Sequence, residues 1–304
     1  MDATHNSLRL RCTDFFQTLQ EEIISALESL EGTGIHFRED TWDRQGGGGG
    51  RTRVLEEGYI FEKAGVNFSA VHGESPQYLN NISTGATNFF ATGISLVLHP
   101  RSPRIPTVHA NFRYFELSNG TAWFGGGMDL TPYYLDEGDA IHFHKTIKNT
   151  CDKHNLTYYA HFKKWCDDYF FINHRGECRG IGGIFFDNLS GTPADLERTF
   201  SFQQDIARTF LPAYIPIVEH HKADTFSDEE RRWQGIRRGR YVEFNLVYDK
   251  GTVFGLETQG RIESILMSLP TTARWEYDHQ PRKGSEEARL VEVLKHPREW
   301  VKAS

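Results

Sequence analysis

Two stretches of the chain set polar side chains at two-residue steps. In Ser95-Leu96-Val97-Leu98-His99, and again in Val108-His109-Ala110-Asn111-Phe112-Arg113, groups able to bind or transfer protons alternate with apolar ones. On extended backbone, successive side chains point to opposite faces. Ser95, Val97 and His99 therefore share one face of a strand, and His109, Asn111 and Arg113 share one face of another. Two such strands offer a hydroxyl, two imidazoles, an amide and a guanidinium to a single cleft. The set suits an organic acid, because Arg holds a carboxylate in a two-pronged fork and His gives or takes a proton near neutral pH. A solvated strand face with ordinary hydrogen bonds has the same alternation, and periodicity does not separate the two.

A second constellation runs from Trp123 to Pro132. Its triple glycine, Gly125-Gly126-Gly127, permits close backbone approach and sets Asp129 in a tight, constrained turn. That carboxylate either accepts hydrogen bonds from ligand N–H groups or initiates the turn ahead of Thr131-Pro132. His99, His109, His142, His144 and His174 are of a type that binds Zn, Cu or Fe. There is no HExxH pair, however, and His142 and His144, two apart, do not share a helical face. Gly46 to Gly50 reads as a mobile loop, since no Gly-Lys-Ser/Thr follows. Gly180-Ile181-Gly182-Gly183-Ile184-Phe185 fails the dinucleotide fingerprint at Phe185, so NAD, FAD and ATP lack sequence support. The G-x-S-x-G elbow is missing, which weakens a hydrolase reading. Arg179, Arg237, Arg238, Arg240 and Arg261, all near glycines, read mostly as surface ion pairs. One or two of them converging with Arg113 make a pocket for a polyanion.

The elements that must position these groups begin with an amphipathic helix over 7–31. Leu8, Phe15, Leu19, Ile23, Leu27 and Leu30 recur there at steps of three and four, and Gly32 and Gly34 stop it. Extended segments follow at 35–42, 54–71 and 93–98, then the cleanly alternating strand 107–117. Helices are expected at 136–153, 158–172, 193–214 and 227–238. Strands return at 240–248, 252–257 and 264–267, and a last helix spans 285–294. Strands in neighbouring blocks, rather than alternating with helices, predict an α+β fold with an antiparallel sheet. With no repeat and no long linker, the chain reads as one domain over 1–304, loose at 1–6 and 302–304.

Composition narrows the class. The 304 residues carry 34 Lys+Arg against 41 Asp+Glu, a net charge of −7, with 38% hydrophobic and 25% charged residues. This is a soluble globular balance, and its acidity argues against nucleic acid, whose phosphates need Lys and Arg. No window approaches the ~20 apolar residues of a membrane span. The polar start, 1–10, lacks the apolar stretch of a secretory signal. Cys12, Cys151, Cys166 and Cys178 have no zinc spacing and read as reduced thiols of a cytoplasmic protein. Aromatics at 13% and 28 glycines suit either a large flat ligand or a large aromatic core.

Taken in order, the segments 46–51, 62–69, 91–95, 99–101, 106–113, 123–132, 163–167, 179–183, 239–247 and 263–268 resemble the oxygen-dependent coproporphyrinogen III oxidase family over nearly the whole chain. The resemblance implies a large antiparallel sheet flanked by helices on both faces, in a homodimer formed through 239–275. It implies that two propionates of coproporphyrinogen III become vinyl groups, with O₂ as oxidant and no flavin, nicotinamide or haem. Carried over by position, His109 matches the proton donor and Asp129 the acid set against the pyrrole nitrogens. Ser95, Asn111, Arg113, Gly260 and Arg261 match substrate-binding positions. His99, His109, His144 and His174 match histidines sometimes given as metal ligands, although their spacing here argues against a metal. The chain departs from the family pattern at Cys178 and at Asn188, which removes a carboxylate beside Asp187.

Overall fold

The computed structural model describes residues 3–75, 85–257 and 261–302. A long helix, α1 (Ala3–Glu31), precedes six strands in an antiparallel meander: β1 (Arg38–Asp43), β2 (Gly48–Glu56), β3 (Phe61–Glu74), β4 (Asn88–Pro100), β5 (Thr107–Leu117) and β6 (Ala122–Thr131). Next come α2 (Glu137–His154), α3 (Tyr158–Tyr169) and the short pair β7 (Phe171–Ile172) and β8 (Glu177–Cys178). Strand β9 (Gly183–Ser190) then joins the sheet beside β6, completing the order β1-β2-β3-β4-β5-β6-β9. The chain ends in helices: α4 (Pro193–Arg208), α5 (Phe210–His221), α6 (Asp228–Val247), α7 (Lys250–Glu257), α8 (Ile262–Leu266) and α9 (Glu286–Lys295).

The two faces of the sheet differ because the residues alternate. Val66, Leu96, Val108, Ala110, Phe112, Phe124, Met128, Ile184 and Phe186 are buried on one face, in a core shared with α1, α2, α4 and α5. The opposite face carries His109, Asn111 and Arg113, each half-buried between buried neighbours. Helix α6 lies over part of this face: Tyr241 packs edge-on to His99, and Phe244 packs on Phe170 beside His109. Met267, just after α8, covers Gly65, where a side chain would strike its thioether. The expected α+β sheet with helices on both faces is what the chain builds.

Several local expectations are corrected. The segments 240–248, 252–257 and 264–267, read as strands, are helical (α6, α7 and α8). Trp233, Ile236, Arg237, Tyr241, Phe244 and Asn245 are buried along α6 at helical steps, and a Ser227–Glu230 capping box starts it. The density of aromatic and β-branched residues suggested strands, but tertiary packing outweighs that propensity. The single helix expected over 193–214 is two, breaking between Arg208 and Phe210. Gly46 to Gly50 is no loose loop. Gly47 and Gly48, with φ of +115° and +75°, turn the chain, and β2 begins at Gly48. Helix α1 already starts at Ala3, inside the stretch expected to be loose, while residues 1, 2, 303 and 304 lie outside the described residues.

Candidate active site

The centre of the polar face is set by strand register. His109 on β5 lies opposite Asp129 on β6, and Asp129 lies opposite Gly183 on β9. Residues 125–129 are therefore strand interior, not the turn their glycines suggested. What the glycines supply is clearance: a side chain at Gly125 would run into Arg113 and Asp187. Asp129 is 1% exposed and makes a 2.8 Å hydrogen bond with Nδ1 of His109. Arg179 Nη2 donates to both carboxylate oxygens, at 2.9 and 3.0 Å. Arg179 enters from the turn after β8 and is itself buried. Its Nη1 donates to Asn245 Oδ1 at 2.6 Å, and its guanidinium lies 4.1, 4.6 and 4.9 Å from the rings of Phe170, Tyr241 and Phe244.

Burial on its own raises a carboxyl pKa. At Asp129 the charge of Arg179 and the bond to His109 outweigh it, and the group is held below its ordinary value. Asp129 is thus an anion across the neutral range. An ionised carboxylate only accepts, so Nδ1 of His109 carries the hydrogen. The Nε2 atom is left for whatever meets the half-open face, where the His109 side chain keeps 21% exposure. Such a couple moves a proton at Nε2 while a buried anion stabilises the charged ring.

Arg113 lies two strand residues beyond Asn111. Its Nη2 pairs with Asp187 at 2.9 Å and its Nη1 donates to Asn111 Oδ1 at 3.1 Å. Gln203 of α4 steadies the local backbone by donating to the carbonyls of Arg113 and Gly125. Asn188 has φ +54° and its N–H donates to Asp187 at 2.9 Å. Asn tolerates that left-handed conformation, and the bend it forms follows Asp187, which pairs with Arg113. The Cys178 thiol is buried against the Asp167 carbonyl, away from these groups.

Ser95 faces Asn111 across β4 and β5, and the same row continues through Asn67, Thr52 and Asp40. Arg261, at the start of α8, is ion-paired with Asp40. The row thus runs four strand spacings, about 19 Å, from Asn111, which Arg113 touches, to Asp40, which Arg261 touches. Gly260 lies outside the described residues.

The histidine set proposed for a metal does not assemble. His99 bonds Thr107 Oγ1 through Nδ1 and the Ser268 carbonyl through Nε2. His144, on α2, bonds Tyr159 and the Ile181 carbonyl. His174 bonds Tyr248 and Glu243. With both nitrogens of these three rings committed to separate protein partners, no common ligand sphere with His109 forms.

Sequence reading missed the weight of Arg179 and Asn245. The glycine-adjacent arginines were expected at the surface, yet Arg179, Arg237 and Arg238 are all buried and paired, with Asp129, Glu177 and Glu62 respectively. Asn245 was hidden by the strand reading of 240–248. On a helix it falls four residues after Tyr241, on the face that meets Arg179.

Residues 11–300 match the family described as Coproporphyrinogen III oxidase. The chain is 52% identical over 309 residues to an oxygen-dependent coproporphyrinogen-III oxidase of Drosophila melanogaster, covering 97% of this chain and 79% of the relative. A chloroplastic protein of that name from Glycine max is 52% identical over 311 residues, covering 97% and 80%. A mitochondrial one from Homo sapiens is 53% identical over 298 residues, covering 93% and 65%.

Proposed function

Because this chain belongs to the coproporphyrinogen III oxidase family, we propose that it carries out the oxygen-dependent oxidative decarboxylation of coproporphyrinogen III to protoporphyrinogen IX in haem biosynthesis. Each reacting propionate follows –CH₂CH₂COO⁻ + O₂ + H⁺ → –CH=CH₂ + CO₂ + H₂O₂, and two rounds give two vinyl groups. Both electrons that reduce O₂ come from the substrate. Flavin, nicotinamide, haem and metal have no step in this scheme.

The observation that carries it is the His109–Asp129–Arg179 chain, buried at one end and open at the other, on the polar face of a sheet that matches the family along its length. His109 handles the proton at Nε2. Asp129 holds the tautomer and stabilises the imidazolium. Oδ2 of Asp129 receives a hydrogen bond from Arg179 and retains acceptor capacity for a pyrrole N–H, which reaches this 1% exposed carboxylate once side chains on the polar face move aside. An anion there makes the macrocycle more electron-rich and readier to react with O₂. Arg113 and Arg261 grip carboxylates at separate points, with Ser95 and Asn111 lining the row between them. A propionate entering the fork of Arg113 takes over the place of Asp187, and one at Arg261 displaces Asp40.

The chain works as one domain and as a homodimer through 239–275. Leu246, Val247, Leu256, Ile262 and Trp275 are exposed in that stretch, an apolar surface that a second copy would cover. A cytoplasmic setting suits its four free, buried thiols, and no described helix is long and apolar enough to cross a membrane. The deciding experiment incubates the chain with coproporphyrinogen III in air and under anaerobic conditions. CO₂ and vinyl products are expected only in air; a folded chain that releases no CO₂ in air overturns the reading.

A further inference from the structure

On the helical layer behind the apolar face of the sheet, the first turn of α2 meets the last turn of α5. Asp136 and Asp139 come from one, His220 and His221 from the other. One donor atom from each of these four residues lies within 4.8 Å of all the others. We propose that this cluster binds a divalent first-row transition ion of the zinc class and so clamps α2 to α5.

The donor set suits such an ion. Zinc takes imidazole nitrogen and carboxylate oxygen at 2.0–2.2 Å, so neighbouring ligand atoms in a tetrahedron sit about 3.4 Å apart. The cluster must contract by about an ångström, and His220, 62% exposed, can supply that movement. Its partners are already held. Asp139 spans both imidazoles, with Oδ1 3.3 Å from His220 Nδ1 and Oδ2 2.8 Å from His221 Nε2. From the far side, Asp224 accepts from His221 Nδ1 at 2.6 Å. A carboxylate on the nitrogen remote from the ion fixes ring angle and tautomer, the arrangement that zinc-bound histidines repeatedly show. Asp136 is anchored as the cap of α2, its Oδ1 accepting from the Asp139 N–H at 3.0 Å.

The electrostatics agree. The positive end of α2 and the negative end of α5 meet here, and their backbone dipoles offset one another. Three carboxylates, Asp136, Asp139 and Asp224, face the two imidazoles, and zinc takes the place of the proton that Asp139 and Asp224 hold on His221. Lys222, next along the chain, forms an ion pair with Glu219. None of the four family-matched histidines takes part, and the proposal stands apart from the catalytic reading.

The test is zinc binding by the tag-free full chain, followed by equilibrium dialysis and by the thermal midpoint with and without Zn²⁺. One Zn²⁺ per chain is expected, with a rise in Tm on binding because the ion favours the folded state. His220→Ala removes an exposed ligand without touching the core. It should weaken binding at least tenfold and abolish the Tm rise, and Asp139→Asn should do the same. If the folded wild-type chain takes up no zinc, the proposal fails. It fails equally if His220→Ala binds zinc as tightly as wild type, since the ion then sits elsewhere, for example at a thiol.

Discussion

His99 and His109 stand on the same face of neighbouring strands, and the sequence presents them as equals. In the structure they do different work. Both ring nitrogens of His99 are used, by Thr107 and by the Ser268 carbonyl beyond α8, and Tyr241 of α6 packs on its ring. Burial holds its pKa well below the ordinary value, so it stays neutral. His109 has one nitrogen tied to a buried anion and one facing a half-open surface. On the proposed reading, the half-exposed ring with one nitrogen uncommitted is the one that carries a proton, and the ring bonded at both nitrogens under a helix segment serves as a structural bolt.

The sharpest way to break this contrast is at Asp129. Removing a positioned acid–base partner costs ~10²–10⁴-fold in rate, and Asp129→Asn should lose turnover in that range with little change in KM. Asp129→Ala loses as much activity and also leaves Arg179 buried and unpaired, a cost of about 3–5 kcal/mol. Near-wild-type CO₂ release by a folded Asp129→Asn chain would remove the residue from the reaction.

Next in size is the pair itself. His109→Gln should lower kcat roughly 100-fold and barely move the melting temperature. His99→Gln should lower stability by about 1–3 kcal/mol while each folded molecule keeps its kcat. If the two variants exchange these outcomes, the distinction drawn from their second nitrogens is wrong.

Arg113→Ala tests the face around His109 rather than its proton. Losing a charged hydrogen-bond donor is worth about 1.5–3 kcal/mol, so kcat/KM should fall roughly 10- to 100-fold, mainly through KM. An unchanged kcat/KM would exclude Arg113 from carboxylate binding.

The smallest effect is in pH. His99, and His144 with its pKa pushed down to about 3 by burial, remain neutral in the folded chain as pH falls. The unfolded chain takes up their protons below about 6.5. Folding therefore loses about 1.4 kcal/mol per histidine for each pH unit below that point, and nothing above it. His99→Gln should flatten the acid slope of stability against pH by one proton's worth. An unchanged slope would mean that His99 can charge where it sits.

Much of this was legible in advance. The alternation in 107–117 revealed which side chains share a face, because two-residue periodicity survives in any packed strand. The steps of three and four in 7–31 likewise gave α1. Helix α6 was misread because Tyr241, Val242, Phe244 and Val247 favour strands locally, and only packing against the sheet makes their helical spacing count. Arg179 was undervalued because burial of an arginine has no local signature; it depends on a partner 50 residues away.

The sequence by itself determined the family, the α+β class and which side chains share a face of β5, since these are written in residue order and periodicity. Tertiary structure alone decided which groups are charged and which are reachable. It brought Arg179 and Asn245 behind Asp129, closed a helix segment over His99 and left His109 open. Those are outcomes of register and of helix docking between distant segments, and protonation follows the local field and burial they create.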